Sequence, residues 1–197
     1  MGSTSLTMTA IKIELNIDQA LRRLGTTSVE ARRAIPRALN RVAITARARA
    51  ARAIIDVGYN IKISSVKDVI KINRASGQAT AVSLYAKSYP IPLSKFKPTG
   101  GGTPHHRLPI RVRVMKGSVT LKHAFFATMA SGHVGIFSRY SQKAGTTSKR
   151  KPIYQLYGPS VTDMFKNADV QKVTQATVTE RFPIEMRREL AHVLDQR

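Results

Sequence analysis

Arg33, Arg37 and Arg41 recur one helical turn apart, with Arg52 further along the same stretch and Arg47 and Arg49 flanking. A second basic group, Lys143, Lys149, Arg150 and Lys151, is spread through residues 141–151. Cationic rows of this kind suit one chemistry: they hold phosphates or carboxylates. No acidic residue lies between Glu30 and Asp56, so the arginines lack the i,i+4 partners that usually neutralise a helix face. The plain alternative is a solvated surface that only keeps the protein soluble. The whole chain leans the same way, with 33 Lys and Arg against 11 Asp and Glu and a net charge of +22. So large an excess repels itself on folding and points to a polyanion or to acidic protein partners.

Other chemistries lack their residues. His105-His106 is a weak metal signal, because a loop pair without carboxylate or thiol support rarely fixes a site. His123 and His133 flank a turn and read as surface or satisfied histidines rather than general bases. Most carboxylates, among them Asp56, Asp68, Asp163, Asp169, Glu180, Glu185 and Glu189, fall in helical patterns and form no cluster for Mg²⁺. There is no phosphate-binding glycine motif, no G-x-S-x-G and no H-E-x-x-H. The absence of cysteine excludes disulfides and thiolate metal sites. The reading is therefore a non-enzyme with no catalytic, cofactor or metal residues.

The elements that carry the basic groups follow from periodicity. Residues 28–57 predict a long helix capped by Ser28, with Ala31, Ile35, Ala38, Val42, Ala46, Ala50, Ala53 and Val57 on one stripe facing the sheet. Pro36 predicts a kink or break, and Gly58 the end. Residues 11–15 alternate as a strand. Ser64 or Ser65 caps a short helix over 66–72, Gly77 turns, and 79–87 forms a strand stopped by Pro90 and Pro92. Residues 94–109 have the composition of an exposed loop. Ile110, Val112 and Val114 alternate with Arg111 and Arg113 as the clearest strand, and 119–121 leads into a hairpin.

That hairpin, 124–129 and 134–140, turns at Ser131-Gly132, where glycine accepts positive φ. Its phenylalanine face is expected to meet the long helix. The basic loop 141–151 follows, then a return through 153–156. Tyr157-Gly158-Pro159-Ser160 opens a short helix to 167 with Ser160 as N-cap. A last helical region spans 170–196, with Pro183 starting a second segment and Phe182, Met186, Leu190 and Leu194 as its packing stripe.

Several of these segments carry a resemblance. Phe125-Phe126-Ala127-Thr128-Met129, Ser131-Gly132-His133, Gly135-Ile136-Phe137-Ser138-Arg139 and Pro152 to Ser160 resemble the signature of the bacteriophage minor tail protein Z family. Pro90-Ile91-Pro92-Leu93 and Ala38-Leu39-Asn40-Arg41 resemble it in the expected order. The likeness covers roughly residues 31–194; residues 99–104 and those before Met8 depart from it. These motifs imply a structural role, with Gly132, Gly158, Pro159 and Ser160 as hairpin and cap residues. The resemblance further implies a ring at the head-proximal end of a phage tail, completing it and joining it to the head connector. Implied partners are copies of itself, adjacent tail terminator or tube and head connector proteins, and DNA passing non-specifically through the lumen.

With 197 residues and 42% hydrophobic content but no tryptophan, the chain is long enough for one core with few large anchors. The expectation is a single α+β domain over 1–197. It holds a mainly antiparallel sheet of about four strands against a long N-terminal helix, with C-terminal helices. Residues 1–9 form a flexible leader, and 94–109 and 141–151 are long exposed loops. Residues 1–9 lack signal-peptide character and no apolar run reaches membrane length. The protein is expected in the virion, assembled in the host cytoplasm, with no membrane contact. Arg33, Arg37, Arg41, Lys143, Lys149, Arg150 and Lys151 are the candidate contacts to DNA or to an acidic partner. The alternative is a free, non-specific nucleic-acid-binding protein using the same helix and loop.

Overall fold

The computed structural model describes residues 10–11, 29–76, 81–101, 108–139 and 153–195. In chain order its elements are β1 (Ala10–Ile11), α1 (Val29–Asp56), α2 (Ile63–Val69), β2 (Ile70–Asn73), β3 (Ser83–Ala86), β4 (Pro90–Pro92), a 3-10 turn (Leu93–Lys95), β5 (Thr99–Gly101), β6 (Leu108–Val112), β7 (Val119–Leu121), β8 (Ala124–Thr128), β9 (Val134–Ser138), β10 (Tyr154–Gln155), β11 (Tyr157–Ser160), α3 (Val161–Phe165) and α4 (Ala168–Leu194). The class is α+β, and every strand pair is antiparallel. Ser28, Gly77, His105-His106, the loop 141–151, the leader 1–9 and residues 12–15 of the expected first strand lie outside the described residues.

Helices approach closely only where the side chains between them are small. The inward face of α1 is built that way: Ala34, Ala38, Ala46 and Ala50 are fully buried, with Leu39 and Val42 between them and Ile54 beyond. The principal partner is α4, which answers the alanines with Val170, Val178, Phe182 and Met186. The sequence pattern placed the sheet against this stripe. Strands β2 and β3 do pack on α1, but α4 takes most of the stripe because it offers a matching face of helical period. Both helices also run unbroken through proline, Pro36 in α1, where the sequence suggested a kink or a break, and Pro183 in α4, where it suggested the start of a second segment. Each proline removes a single N–H, and long-range packing on both sides of the site outweighs that local loss. Gly58 ends α1 as expected, at φ 115°. Tyr59 N–H donates to Ile54 C=O at 3.3 Å and Gly58 N–H to Ile55 C=O at 2.9 Å, a Schellman closure.

The strands divide into small sheets, ordered β1-β3-β2, β10-β9-β8, β11-β4 and β5-β6-β7. Two of them join through one residue. Leu156 N–H donates to Ile136 C=O at 2.8 Å, and Leu156 C=O accepts from Leu93 N–H at 3.0 Å. The strand around Leu156 thus leaves β9 and pairs on to β4, giving a run of about four strands in total.

Local expectations needed correction in several places. The short helix is Ile63–Val69, with Lys62 before it and no side-chain cap, and Ile70 already begins β2. Burial of Ile61, Val66 and Ile70 sets that boundary, not the serines. Pro90 and Pro92 do not stop a strand; they form edge strand β4, where buried Ile91 pairs with Gly158. Proline is tolerated at a sheet edge because no neighbour needs its missing N–H. The segment expected as a loop from 94 onward holds the 3-10 turn, β5 and, at its far end, Leu108 and Pro109 of β6. Phe96 within it is fully buried. The hairpin packs chiefly on the 3-10 turn rather than on α1, with Ile136 and Phe137 as its buried apolar side chains. Ile110 and Val112 point inward and Arg111 and Arg113 outward, as the alternation required.

Asn40 fastens α1 to the chain beyond β2. Its side-chain N–H donates to Ala75 C=O at 2.9 Å, and its carbonyl accepts from Ala75 N–H at 3.0 Å. Ala75 is 5% exposed and both bonds are part-buried, so water replaces them poorly. Asn40→Ala is expected to cost about 2–3 kcal/mol, the loss of two partners for buried backbone groups. Asn40→Asp should behave similarly, since a carboxylate cannot donate to Ala75 C=O. Urea unfolding measures both; an unchanged midpoint for either would refute the tie.

Candidate functional site

Two groups of residues compete for the name of site: the signature segment 153–160 with its neighbours, and the basic face of α1.

Gly158 is glycine because of what lies over it. A Cβ there would sit 2.8 Å from the Phe96 ring and 3.2 Å from Leu93. Phe96, fully buried, is the anchor under this joint, and Asn60 holds its carbonyl with a 3.0 Å hydrogen bond. Pro159 follows, half-buried, in the strand that pairs with β4. Ser160 then makes the expected cap, in full capping-box form. Its hydroxyl accepts from Asp163 N–H at 3.1 Å and donates to the Asp163 carboxylate at 2.6 Å, which in turn accepts from Ser160 N–H at 3.3 Å. The Ser160 hydroxyl first, then the Lys166 ammonium, hold the Asp163 carboxyl below its ordinary value of 3.8.

The other glycine singled out, Gly132, has φ 78° with no atom near where a Cβ would stand, so its requirement is purely conformational. The turn is closed by Gly132 N–H to Met129 C=O at 2.8 Å and Met129 N–H to His133 C=O at 2.9 Å. Beside it, the Gln155 side chain donates to His133 Nε2 at 2.8 Å and accepts from the Tyr157 hydroxyl at 2.9 Å. His133 is thereby a hydrogen-bond acceptor in a chain that ties the hairpin to the joint. Arg139 lies over the Phe125 ring at 5.4 Å, and Phe125 packs against Phe137 across the strands.

Of the basic candidates, Arg33 and Arg37 are exposed on α1. Arg41 is not free: its guanidinium pairs at 2.5 Å with Glu189 of α4, whose side chain is 3% exposed. That pair links the two long helices and could not be read from spacing, since the acid sits far along the chain. Lys143, Lys149, Arg150 and Lys151 lie outside the described residues. The structure therefore brings Gly158, Pro159 and Ser160 together in one joint and keeps Gly132 and the α1 arginines apart from it. Sequence reasoning missed Phe96, hidden in loop-like composition, and Glu189. Asn40 was noticed only as part of a motif. Among the described residues no three His, Asp or Glu side chains come together to hold a metal. None of the described helices is long and apolar enough to cross a membrane.

The glycine-and-cap joint over buried Phe96, and the polar side chains around it, hold strands in place. The sequence profile of the prophage minor tail protein Z family matches residues 16–196, and the chain belongs to that family. Its role is that of a structural phage tail protein, at home in the virion among other virion proteins. No curated protein and no solved structure matches the chain.

Gly158→Ala is expected to destabilise the protein by about 1–3 kcal/mol, because the Phe96 ring is enclosed and cannot yield freely. Ser160→Ala should cost about 1 kcal/mol near neutral pH. Asp163 has a lowered folded-state pKa, so its contribution is complete above the ordinary carboxylate range and fades as pH falls through the lowered value. The gap between wild type and Ser160→Ala should therefore narrow in acid. Denaturant melts across pH measure this, and a gap that widens on acidification would contradict the capping box.

Proposed function

We propose that this protein works at the head-proximal end of the tail, where several copies form a ring that completes the tail and joins it to the head connector. Adjacent tail terminator or tube proteins lie on one side and connector proteins on the other, and DNA passes through the lumen. The observation that carries the reading is the family membership of a chain whose basic residues outnumber its acidic ones 33 to 11. A ring of such copies concentrates positive charge around a passage for DNA. Phosphates, or acidic faces of adjacent rings, supply the counter-charge, and both contacts weaken with salt. Non-specific contact needs only exposed cations, which Arg33 and Arg37 supply on α1; Lys143, Lys149, Arg150 and Lys151 are the further cationic residues we assign to this contact.

Tails made without this protein should fail to join filled heads, and added wild-type protein should restore joining. Replacing Lys149, Arg150 and Lys151 with alanine should reduce joining or DNA retention, with the defect growing as salt rises. For duplex DNA each lost phosphate contact lowers the log–log salt slope by about 0.9. Normal joining without the protein would overturn the reading. Discrimination between DNA sequences by more than about 2 kcal/mol, the scale of a bidentate base contact, would favour a free DNA-binding role instead.

A further inference from the structure

Arg33, Arg37, Arg41, Ile44 and Arg52 occupy one exposed line on α1, in steps that keep them on the same side of the helix. At 1.5 Å per residue the line is about 28 Å long. Arg41, its side chain 49% exposed, pairs with Glu189, and no carboxylate among the residues whose side chains are described pairs with Arg33, Arg37 or Arg52. Between these charges Ile44 is 46% exposed, whereas Ile35 and Ile54 of the same helix are buried at 4% and 0%.

Resting on the tail-end role proposed above, we infer that this line is a docking face for an acidic protein surface. The partner is a neighbouring tail or head component that presents carboxylates around a small apolar recess. Arginine alone does not separate a carboxylate from a phosphate, since both accept its forked donors. Ile44 does separate them. A row of phosphates gives an exposed apolar side chain little to pack on beyond the edges of the sugars, and a deeper apolar wedge requires bases to unstack. A protein interface instead places apolar contact at its centre, enriches arginine and keeps charge at the rim. Complementarity also excludes a second copy as the occupant. The chain has 11 carboxylates for 33 basic groups, and Glu189 and Asp163 are already paired within it. Copies of this chain cannot neutralise one another, so the partner is a different, acidic chain.

The test complements phage lacking this protein with wild type, with Ile44→Asn, and with the double change Arg33→Gln and Arg37→Gln. Incorporation into tails is measured by quantitative mass spectrometry. Affinity of each free protein for a short random-sequence DNA duplex is measured in parallel. All three side chains are exposed, so melting temperatures should match and loss of fold is kept out of the comparison. Both variants should enter tails about ten-fold less than wild type, the effect of losing a central interface side chain. Ile44→Asn should bind duplex DNA as wild type does. Normal incorporation of Ile44→Asn would overturn the inference, and if the arginine variant alone lost both incorporation and DNA affinity, the line would belong to DNA. Absence of the wild type itself from tails would instead remove the tail-end role, an outcome distinct from failure of the docking face.

Discussion

The contact between α1 and α4 is the constraint on which the remaining structure depends. Alanines at 34, 38, 46 and 50 let the helices close, and Phe182 and Met186 fill the seam. Full burial of side chains that large contributes about 1.5–3 kcal/mol each. Because α1 also touches α2, β2, β3 and α3, one side of it is covered and the other reaches water. That wet side carries Arg33, Arg37, Arg41, Arg49 and Arg52. The same packing that builds the core thus decides where the unpaired charge is displayed. The Arg41–Glu189 pair sits at the edge of the seam; removing Arg41 would strand a carboxylate whose side chain is only 3% exposed.

Away from the seam, the small sheets depend on one another through the joint at Leu156. A strand that gives its N–H to Ile136 and its C=O to Leu93 connects sheets that would each be marginal alone. Phe96 makes the joint solid, and Gly158 is the space it requires. Similar close fits recur nearby: a Cβ on Gly101 would meet the Phe126 ring at 2.7 Å. The signature residues are accounted for by fit and hydrogen bonding, in keeping with a structural protein of a phage tail.

Much of this was legible in the amino-acid sequence because the signals were local. Gly58 and Gly132 announced backbone needs that the structure shows as positive φ. Ser160 announced a cap, and Ile110 and Val112 alternated with Arg111 and Arg113 because one face of β6 is covered. What stayed hidden was tertiary. Pro36 and Pro183 break helices by propensity, yet packing against a long partner holds both helices whole. Pro90 and Pro92 argue against a strand until the strand is known to be an edge. Phe96 sits among Ser, Lys, Pro and Gly, so composition concealed a core residue. The alanine stripe called for a close partner without naming it, and Glu189 could be matched to Arg41 only once α4 was in place.

Charge connects the fold to its setting. In the proposed ring, a chain of net charge +22 cannot supply its own counter-ions. The stability of such an assembly would rest on neighbours, and the exposed line on α1 is the place proposed for them to meet. The most direct measurement is electron cryomicroscopy of the joined particle at the head-proximal end of the tail. The account predicts a closed ring of this chain between tail and connector, with α1 arginines turned to an acidic neighbouring chain and Ile44 covered. Density for the protein along the tail tube or at the distal tip, with no ring at the junction, would contradict it.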